Sequence, residues 1–168
     1  FKAQQLAKSN DKRSKNETII DFRSRGIRAH TSINPLKGVS YEAWIGTQGR
    51  DFFPLSGISN TLTIMCNELS YWSHYKSDKF GFNNPNKIYK DYQNKKIDAV
   101  LIGDSFVHGA CVKENKDLAS ILRNNNLKVI NFGYSANGPL TELATLMEYA
   151  INFKPENLFW FYFRGDIS

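Results

Sequence analysis

The sequence predicts an α/β protein in which a three-layer parallel sheet follows an irregular, β-rich extension. Two observations support this fold class. Short apolar runs of strand length recur from residue 97 onward, and segments with helical spacing of apolar residues lie between them. A strand–helix–strand–helix–strand order is typical of parallel strands joined by right-handed crossovers.

Residues 1–30 are predicted to form a basic, polar arm without a core of its own. Residues 1–50 carry ten Lys or Arg against four Asp or Glu, and the later residues balance at twelve of each. The formal net charge of +6 therefore belongs to the N-terminal third. Such an arm could meet an acidic partner, an anionic glycan or a membrane surface, but a solvated, partly disordered leader is the preferred interpretation. No nucleic-acid-binding signature accompanies the charge, so we expect no nucleic-acid partner.

Residues 31–96 are predicted to form a β- and loop-rich extension that packs on the following core. Residues 41–45 and 61–65 are rich in β-formers and are interpreted as short strands. A turn-rich stretch begins at Gly81, and residues 87–96 resemble a polar surface connection.

Residues 97–168 are predicted to hold the α/β core. Strands are expected at 97–102, 129–132 and 158–163, because each is nearly continuous in apolar residues and so suits burial on both faces. A helix at 117–123 and a second helix beginning at Pro139 separate them. The second helix has a polar face with Glu142 and Glu148, and an apolar stripe of Leu140, Leu143, Ala144, Met147, Ala150 and Ile151. Three strands leave part of a sheet uncovered, so we expect a truncated core that continues in a longer protein.

Polar residues follow each predicted strand, at 103–106, 131–138 and 164–166. The sites of parallel α/β sheets lie at the carboxyl ends of the strands, so we expect these clusters to converge. Ser105 is the candidate nucleophile, because a serine that opens a helical turn meets free N–H groups and a partial positive charge. The alternative interpretation is that Asp104 and Ser105 only cap a helix.

Residues 97–111 (IDAVLIGDSFVHGAC) resemble block I of the SGNH, or GDSL-type, hydrolases, in which the position of Phe106 is usually apolar. Residues 129–138 (VINFGYSANG) resemble the second block of that family, with Gly133 as its glycine. Residues 160–166 (WFYFRGD) stand where the third block is expected, and residues 78–85 (DKFGFNNP) resemble the lead-in of some bacterial members. The resemblance implies a flavodoxin-like, SGNH-type sheet.

The resemblance also implies roles for individual residues. Ser105 would be the nucleophile, and the backbone N–H groups of Ser105 and Gly133 would line an oxyanion hole. Asp104 would brace the loop. Asp166 occupies the third-block position, where a carboxylate would repel an oxyanion, so Asn137 is the candidate for an additional amide donor.

The general base is the main departure from the family. The family's histidine belongs to a late Asp-x-x-His block, whereas the histidines of this chain are His30, His74 and His108. His108 lies three residues after Ser105, a spacing that we consider too local for a base, and a packed histidine is the preferred interpretation. We therefore expect the base-bearing C-terminal block to be missing from this chain.

Two function classes follow. The first is a serine esterase or O-acyl hydrolase or transferase acting on a small-molecule or glycan ester, with an acylated carbohydrate as the suggested substrate. The second is a non-catalytic glycan- or protein-binding module on a degenerate hydrolase scaffold, and a flavodoxin-like fold with an unrelated ligand ranks third. Tyr71, Trp72 and Tyr75 would stack on a sugar in a glycan site, although packing is their commoner role. No cofactor or metal is expected, because neither metal-ligand spacing nor a phosphate-binding loop occurs.

Two further features concern the compartment. Cys66 and Cys111 allow at most one internal disulfide. The longest strongly apolar run, at 158–163, has six residues, whereas a membrane-spanning helix needs about 20. A leader or anchor preceding Phe1 would direct the protein to the periplasm or the cell exterior.

Overall fold

Two small sheets and the helices around them organise the residues that the computed structural model describes, which are 11–33, 54–68 and 70–162. The first half contains helix α1 (Lys15–Ser24), strands β1 (Ala29–Thr31), β2 (Leu62–Ile64) and β3 (His74–Lys76), and helix α2 (Lys87–Asp91). The second half contains β4 (Ala99–Ile102), α3 (Ser105–His108), α4 (Leu118–Asn124), β5 (Val129–Asn131), α5 (Pro139–Glu148), a 3-10 helix (Ala150–Phe153) and β6 (Asn157–Trp160).

The second sheet has the order β5-β4-β6, and both of its strand pairs are parallel. Val100 of the central strand β4 lies opposite Ile130 of β5 and Leu158 of β6. The predicted α/β class and the alternation of strands and helices are therefore confirmed. The strands begin or end one to three residues inside the predicted runs, except that β6 starts one residue earlier.

The core lies on both faces of this parallel sheet. Strand β4 is buried along its whole length, so its alternating side chains enter two different clusters. Val100 and Ile102 pack in one cluster with Phe82. Ala99 and Leu101 pack in the other, together with residues of α3 and α4 such as Val107 and Ala119. Burial on both faces explains the continuous apolar run that predicted this strand.

The described part of the predicted basic arm, from residue 11 onward, contains a helix that packs on the first sheet. Ser14 is the N-cap residue of α1. Its Oγ accepts a hydrogen bond from the Glu17 N–H (3.2 Å), and its own N–H donates to the Glu17 carboxylate (2.6 Å). Ile19 of α1 is buried in a cluster with Ala29 and Ile64 of the first sheet, in which β1 pairs parallel to β2 and β2 antiparallel to β3. Residues 15–24 therefore do share a core, because the first sheet offers α1 an apolar face.

Four further sequence predictions concern the first half of the chain. The predicted boundary between residues 30 and 31 falls inside β1, and residues 61–65 contain β2 as expected. The strand predicted at 41–45 lies outside the described residues. The predicted surface connection at 87–96 begins with helix α2, whose Ile88 is buried.

Helix α5 turns the opposite side toward the sheet from the one predicted. Glu142 is fully buried, whereas Leu140, Met147 and Ile151 are well exposed. On the side that meets the core, Leu146 and Tyr149 pack against the main cluster, and the indole Nε1–H of Trp160 in β6 donates to Glu142 Oε2 at 2.6 Å. Glu148 is exposed, as expected.

Strand β6 is also less buried than its apolar sequence predicts. Leu158 and Phe159 are 42% and 48% exposed. Within the described ranges the strand pairs with β4 alone and forms one edge of the sheet. No helix among the described residues is both long and apolar enough to cross a bilayer.

A disulfide joins the two halves of the chain. Cys66, just after β2, is bonded to Cys111, in the loop that follows α3, and their Cα atoms are 5.3 Å apart. The sequence left this pairing open. The bridge ties the first sheet to the segment that carries Ser105.

Candidate functional site

Ser105 is the first residue of α3, at the carboxyl end of the central strand β4. Asp104 caps this helix, because its Oδ1 accepts a hydrogen bond from the Phe106 N–H at 2.9 Å. The Ser105 side chain is half-buried, and neither its hydroxyl nor its N–H forms a hydrogen bond with any described group. The capping contact agrees with the bracing role expected for Asp104 and equally with the simpler capping interpretation.

Two glycines allow the strand ends to approach α3 closely. A Cβ atom on Gly133 would lie 2.5 Å from Val107 Cβ and 2.7 Å from the His108 nitrogen. A Cβ atom on Gly103 would lie 2.6 Å from Val107 Cγ2. Larger residues at either position would push α3, and Ser105 with it, away from the sheet.

The Gly133 amide is engaged within the protein. Its N–H donates to Asn131 Oδ1 at 2.8 Å, and the residue is buried. In this geometry the amide is not available to an oxyanion beside Ser105, contrary to the role that the resemblance implied. The physical reason is local: the side chain of Asn131, at the end of β5, reaches the N–H two residues later.

A buried network of amide side chains supports this part of the fold. Asn84 Nδ2 donates to the Asn131 carbonyl oxygen (2.7 Å), and Asn84 Oδ1 accepts from the Asn131 N–H (2.9 Å). Asn131 Nδ2 in turn donates to the carbonyl oxygen of Val107 in α3 (2.7 Å). Asn83 Nδ2 donates to the His108 carbonyl oxygen (2.9 Å). The residues of the lead-in motif therefore fix the helix that begins with Ser105.

Asp78 is the acidic end of the same network. Its side chain is fully buried and accepts hydrogen bonds from the N–H groups of Phe80 (2.8 Å) and Phe82 (2.9 Å), from Asn84 Nδ2 (2.9 Å) and from the Tyr89 hydroxyl (2.6 Å). Burial raises the pKa of Asp78 above its ordinary value, although these hydrogen bonds act in the opposite direction. The carboxyl group is a structural centre of the extension.

Asn137 carries an unusual buried amide. The residue is 4% exposed, and among the described residues neither its Oδ1 nor its Nδ2 has a hydrogen-bond partner. A buried amide without partners is costly, so such groups call for an explanation, and a ligand contact is one. Asn137 therefore remains a candidate amide donor to an oxyanion. Asp166 lies outside the described residues.

The three histidines occupy structural positions. His108 is fully buried, stacks on Tyr134, and accepts a hydrogen bond at Nδ1 from the Ser135 N–H (3.0 Å). Burial lowers the pKa of His108 to about 3, so its ring is neutral near pH 7. His30 and His74 lie in the first sheet, in β1 and β3. None of the three histidines is hydrogen-bonded to Ser105 within the described ranges.

The aromatic residues considered for sugar stacking differ in exposure. Tyr75 is buried, with its ring edge-on to His108 at 5.1 Å. Trp72 packs against the cluster around Ile64, and its Nε1–H donates to the Arg13 carbonyl oxygen at 2.8 Å. Packing therefore accounts for both of these side chains.

Sequence reasoning missed a polar cleft between the extension and α4. It has a volume of about 310 Å³, and its lining includes Lys76, Lys87, Glu114, Asp117 and Arg123 but not Ser105. In the sequence, only the lead-in motif at residues 78–85 pointed to this region, because its Asn83 and Asn84 also line the cleft.

Comparisons of the chain with family models, with curated proteins and with solved structures find no match. The interpretation of the site therefore depends on the contacts described above and on the motifs of the sequence.

Proposed function

We propose that this chain is the nucleophile-bearing part of a flavodoxin-like, SGNH-type serine esterase, or of an O-acyl hydrolase or transferase. One observation carries the proposal. Ser105 stands at the carboxyl end of the central parallel strand and opens a helix, with its hydroxyl half-buried and unbonded among the described residues. Asp104 caps the helix at the same point and keeps the turn in place.

The proposed reaction is acyl transfer through a covalent intermediate. Ser105 Oγ attacks the ester carbonyl carbon while a general base removes the hydroxyl proton. The resulting oxyanion accepts hydrogen bonds from the Ser105 N–H and from the Asn137 side-chain amide. The intermediate expels the alcohol, which takes up the proton, and water or an acceptor hydroxyl then removes the acyl group from Ser105.

The base and the substrate are parts of the same proposal. His108 is neutral near pH 7 but is fully buried and bonded to Ser135, so the proposal does not use it. The family resemblance assigns the base to a histidine in a later block, and the assay therefore uses the protein encoded by the whole reading frame. We propose an ester of a small molecule or of a carbohydrate as substrate.

A second candidate function is a non-catalytic binding module on a hydrolase-like scaffold. Two observations favour it: the Gly133 N–H is bonded to Asn131, and within the described ranges no histidine contacts the Ser105 hydroxyl. Recognition of a glycan or of a partner protein would then replace catalysis.

Labelling with a fluorophosphonate probe separates the two candidates. We expect the probe to label the wild-type full-length protein and the Ser135→Ala variant, and to fail on Ser105→Ala. Ser135 is the matched control, because its hydroxyl lies 2.9 Å from His108 Nδ1 and it is thus the alternative serine nucleophile. Circular dichroism verifies that each variant is folded. Labelling that persists in Ser105→Ala, or an unlabelled wild type whose ester turnover equals that of Ser105→Ala, would refute the serine mechanism and favour the binding module.

A further inference from the structure

The polar cleft continues past Arg123 into a second cavity. The two cavities have volumes of about 310 and 280 Å³ and share five lining residues, Pro85, Lys87, Asn115, Ser120 and Arg123. We call this combined groove the Arg123 cleft. Neither cavity is lined by Ser105, Gly133 or Asn137, so the groove is separate from the candidate ester site.

Arg123 is half-buried and bonded only to neutral acceptors. Its Nε donates to the Val129 carbonyl oxygen at 2.9 Å, and its Nη2 donates to Asn84 Oδ1. Among the described residues no carboxylate forms an ion pair with it. Burial lowers the pKa of Arg123, and Asp117 acts in the opposite direction. Because a guanidinium stays protonated in proteins, the floor of the cleft carries a positive charge without a direct counter-ion.

The positive excess lies in the first cavity, where Arg123 and two lysines stand against two carboxylates, whereas the second cavity adds Asp91. Lys76 and Lys87 stand exposed at its edge, and Glu114 and Asp117 supply the negative charges. The Asp117 carboxylate is already engaged at the start of α4, where it accepts hydrogen bonds from the Ser120 N–H (3.0 Å) and hydroxyl (2.5 Å). Glu114 in the first cavity and Asp91 in the second are therefore the exposed carboxylates that would oppose an anion in the groove.

We propose that the Arg123 cleft binds a small hydrophilic ligand that carries one carboxylate or phosphate group. The planar guanidinium suits an oxyanion, which it can meet with two parallel hydrogen bonds, and Lys87 adds a charge that both cavities share. The first cavity falls within the usual size of small-molecule sites, roughly 300–1,000 Å³. Asparagine side chains around the rim suit a ligand with hydroxyl groups. The proposal stands apart from Ser105 and does not depend on the proposed ester chemistry.

Isothermal titration of the full-length protein tests the proposal, with D-glucuronate and D-glucose 6-phosphate as anionic probes and D-glucose as the neutral one. We expect at least one anionic probe to bind, and glucose to bind much more weakly or not at all. Comparison of the two anions identifies whether a carboxylate or a phosphate is preferred.

Variants of the lining residues test whether the anion binds in the Arg123 cleft. Lys87→Ala should weaken anion binding about 2- to 5-fold, and Glu114→Gln should strengthen it by a similar factor, as expected for exposed charges. Lys90→Ala is the matched control, since Lys90 is also an exposed lysine of α2 but does not line the cleft. Arg123→Gln should abolish binding, with thermal unfolding used to check that the Asn84 contact is not essential for folding.

Three results would overturn the proposal: neither anion binds at millimolar concentration, glucose binds as well as glucuronate, or Lys87→Ala and Glu114→Gln both behave like Lys90→Ala. The Lys87 and Glu114 variants decide the question even if Arg123→Gln does not fold.

Discussion

Removal of the Cys66–Cys111 disulfide should lower the free energy of unfolding by about 4 kcal/mol. The two cysteines are 45 residues apart. For a closed loop of that length, the chain-entropy relation gives about 13 cal/mol/K, or about 4 kcal/mol at 25 °C, because the bridge restricts the unfolded chain. In a protein of this size each kcal/mol changes the Tm by about 2–4 °C, so the expected decrease is about 8–16 °C.

Urea unfolding of the oxidised wild type and of the Cys66→Ser/Cys111→Ser double variant measures this difference. Both proteins are also unfolded in the presence of a reductant, which should destabilise the wild type and leave the double variant unchanged. Thiol titration of the denatured, unreduced wild type should find no free cysteine. Two free thiols, or a difference in unfolding free energy below about 1 kcal/mol, would show that the bridge does not stabilise the fold as reasoned.

Three other predictions concern the contacts around the site, each measured by urea unfolding. Gly133→Ala should lower the free energy of unfolding by about 1–3 kcal/mol, because the new Cβ would lie 2.5 Å from Val107. Gly138→Ala, whose Cβ would meet no atom within 4 Å, should change it by a few tenths of a kcal/mol. Equal effects of the two substitutions would contradict the close-packing argument. Burial raises the folded-state pKa of Asp78, so the stability of the wild type relative to Asp78→Asn should fall as pH rises from the ordinary aspartate value of about 4 through that raised pKa; a constant difference would refute this. Trp160→Phe should cost about 1–3 kcal/mol, because it removes a hydrogen bond to the buried Glu142 carboxyl. Trp72→Phe loses an exposed hydrogen bond to a carbonyl oxygen and should cost about 0.5–1.5 kcal/mol. The reverse order would contradict the argument from burial.

The parallel sheet was predictable because its two buried strands, β4 and β5, carry a local signal. Strand β4 is buried on both faces, which requires a continuous apolar run, and Pro139 marks the first residue of α5. The orientation of α5 was not predictable in the same way. Its apolar stripe distinguishes two faces, but the face that meets the sheet is the one that carries Leu146, Tyr149 and the contact between Glu142 and Trp160.

The candidate site was predictable only in outline. The residues after β4 indicated Ser105 and its cap, since both belong to one short segment. The engagement of the Gly133 amide, by contrast, depends on the orientation of the Asn131 side chain, which Asn84 helps to fix from 47 residues away. The Arg123 cleft combines residues of the extension with residues of α4, and no spacing pattern in the sequence brings them together.

The start of α5 also bears on the chemical durability of the protein. Asn137 precedes Gly138, and in such a pair deamidation proceeds when the glycine nitrogen attacks the asparagine side chain and closes a succinimide. Here the Gly138 N–H donates to Thr141 Oγ1 at 2.9 Å, which restrains that nitrogen. The bond that begins the helix thus protects the buried amide from becoming a carboxylate, and stored protein whose Thr141 is replaced by valine should gain acidic species faster than the wild type.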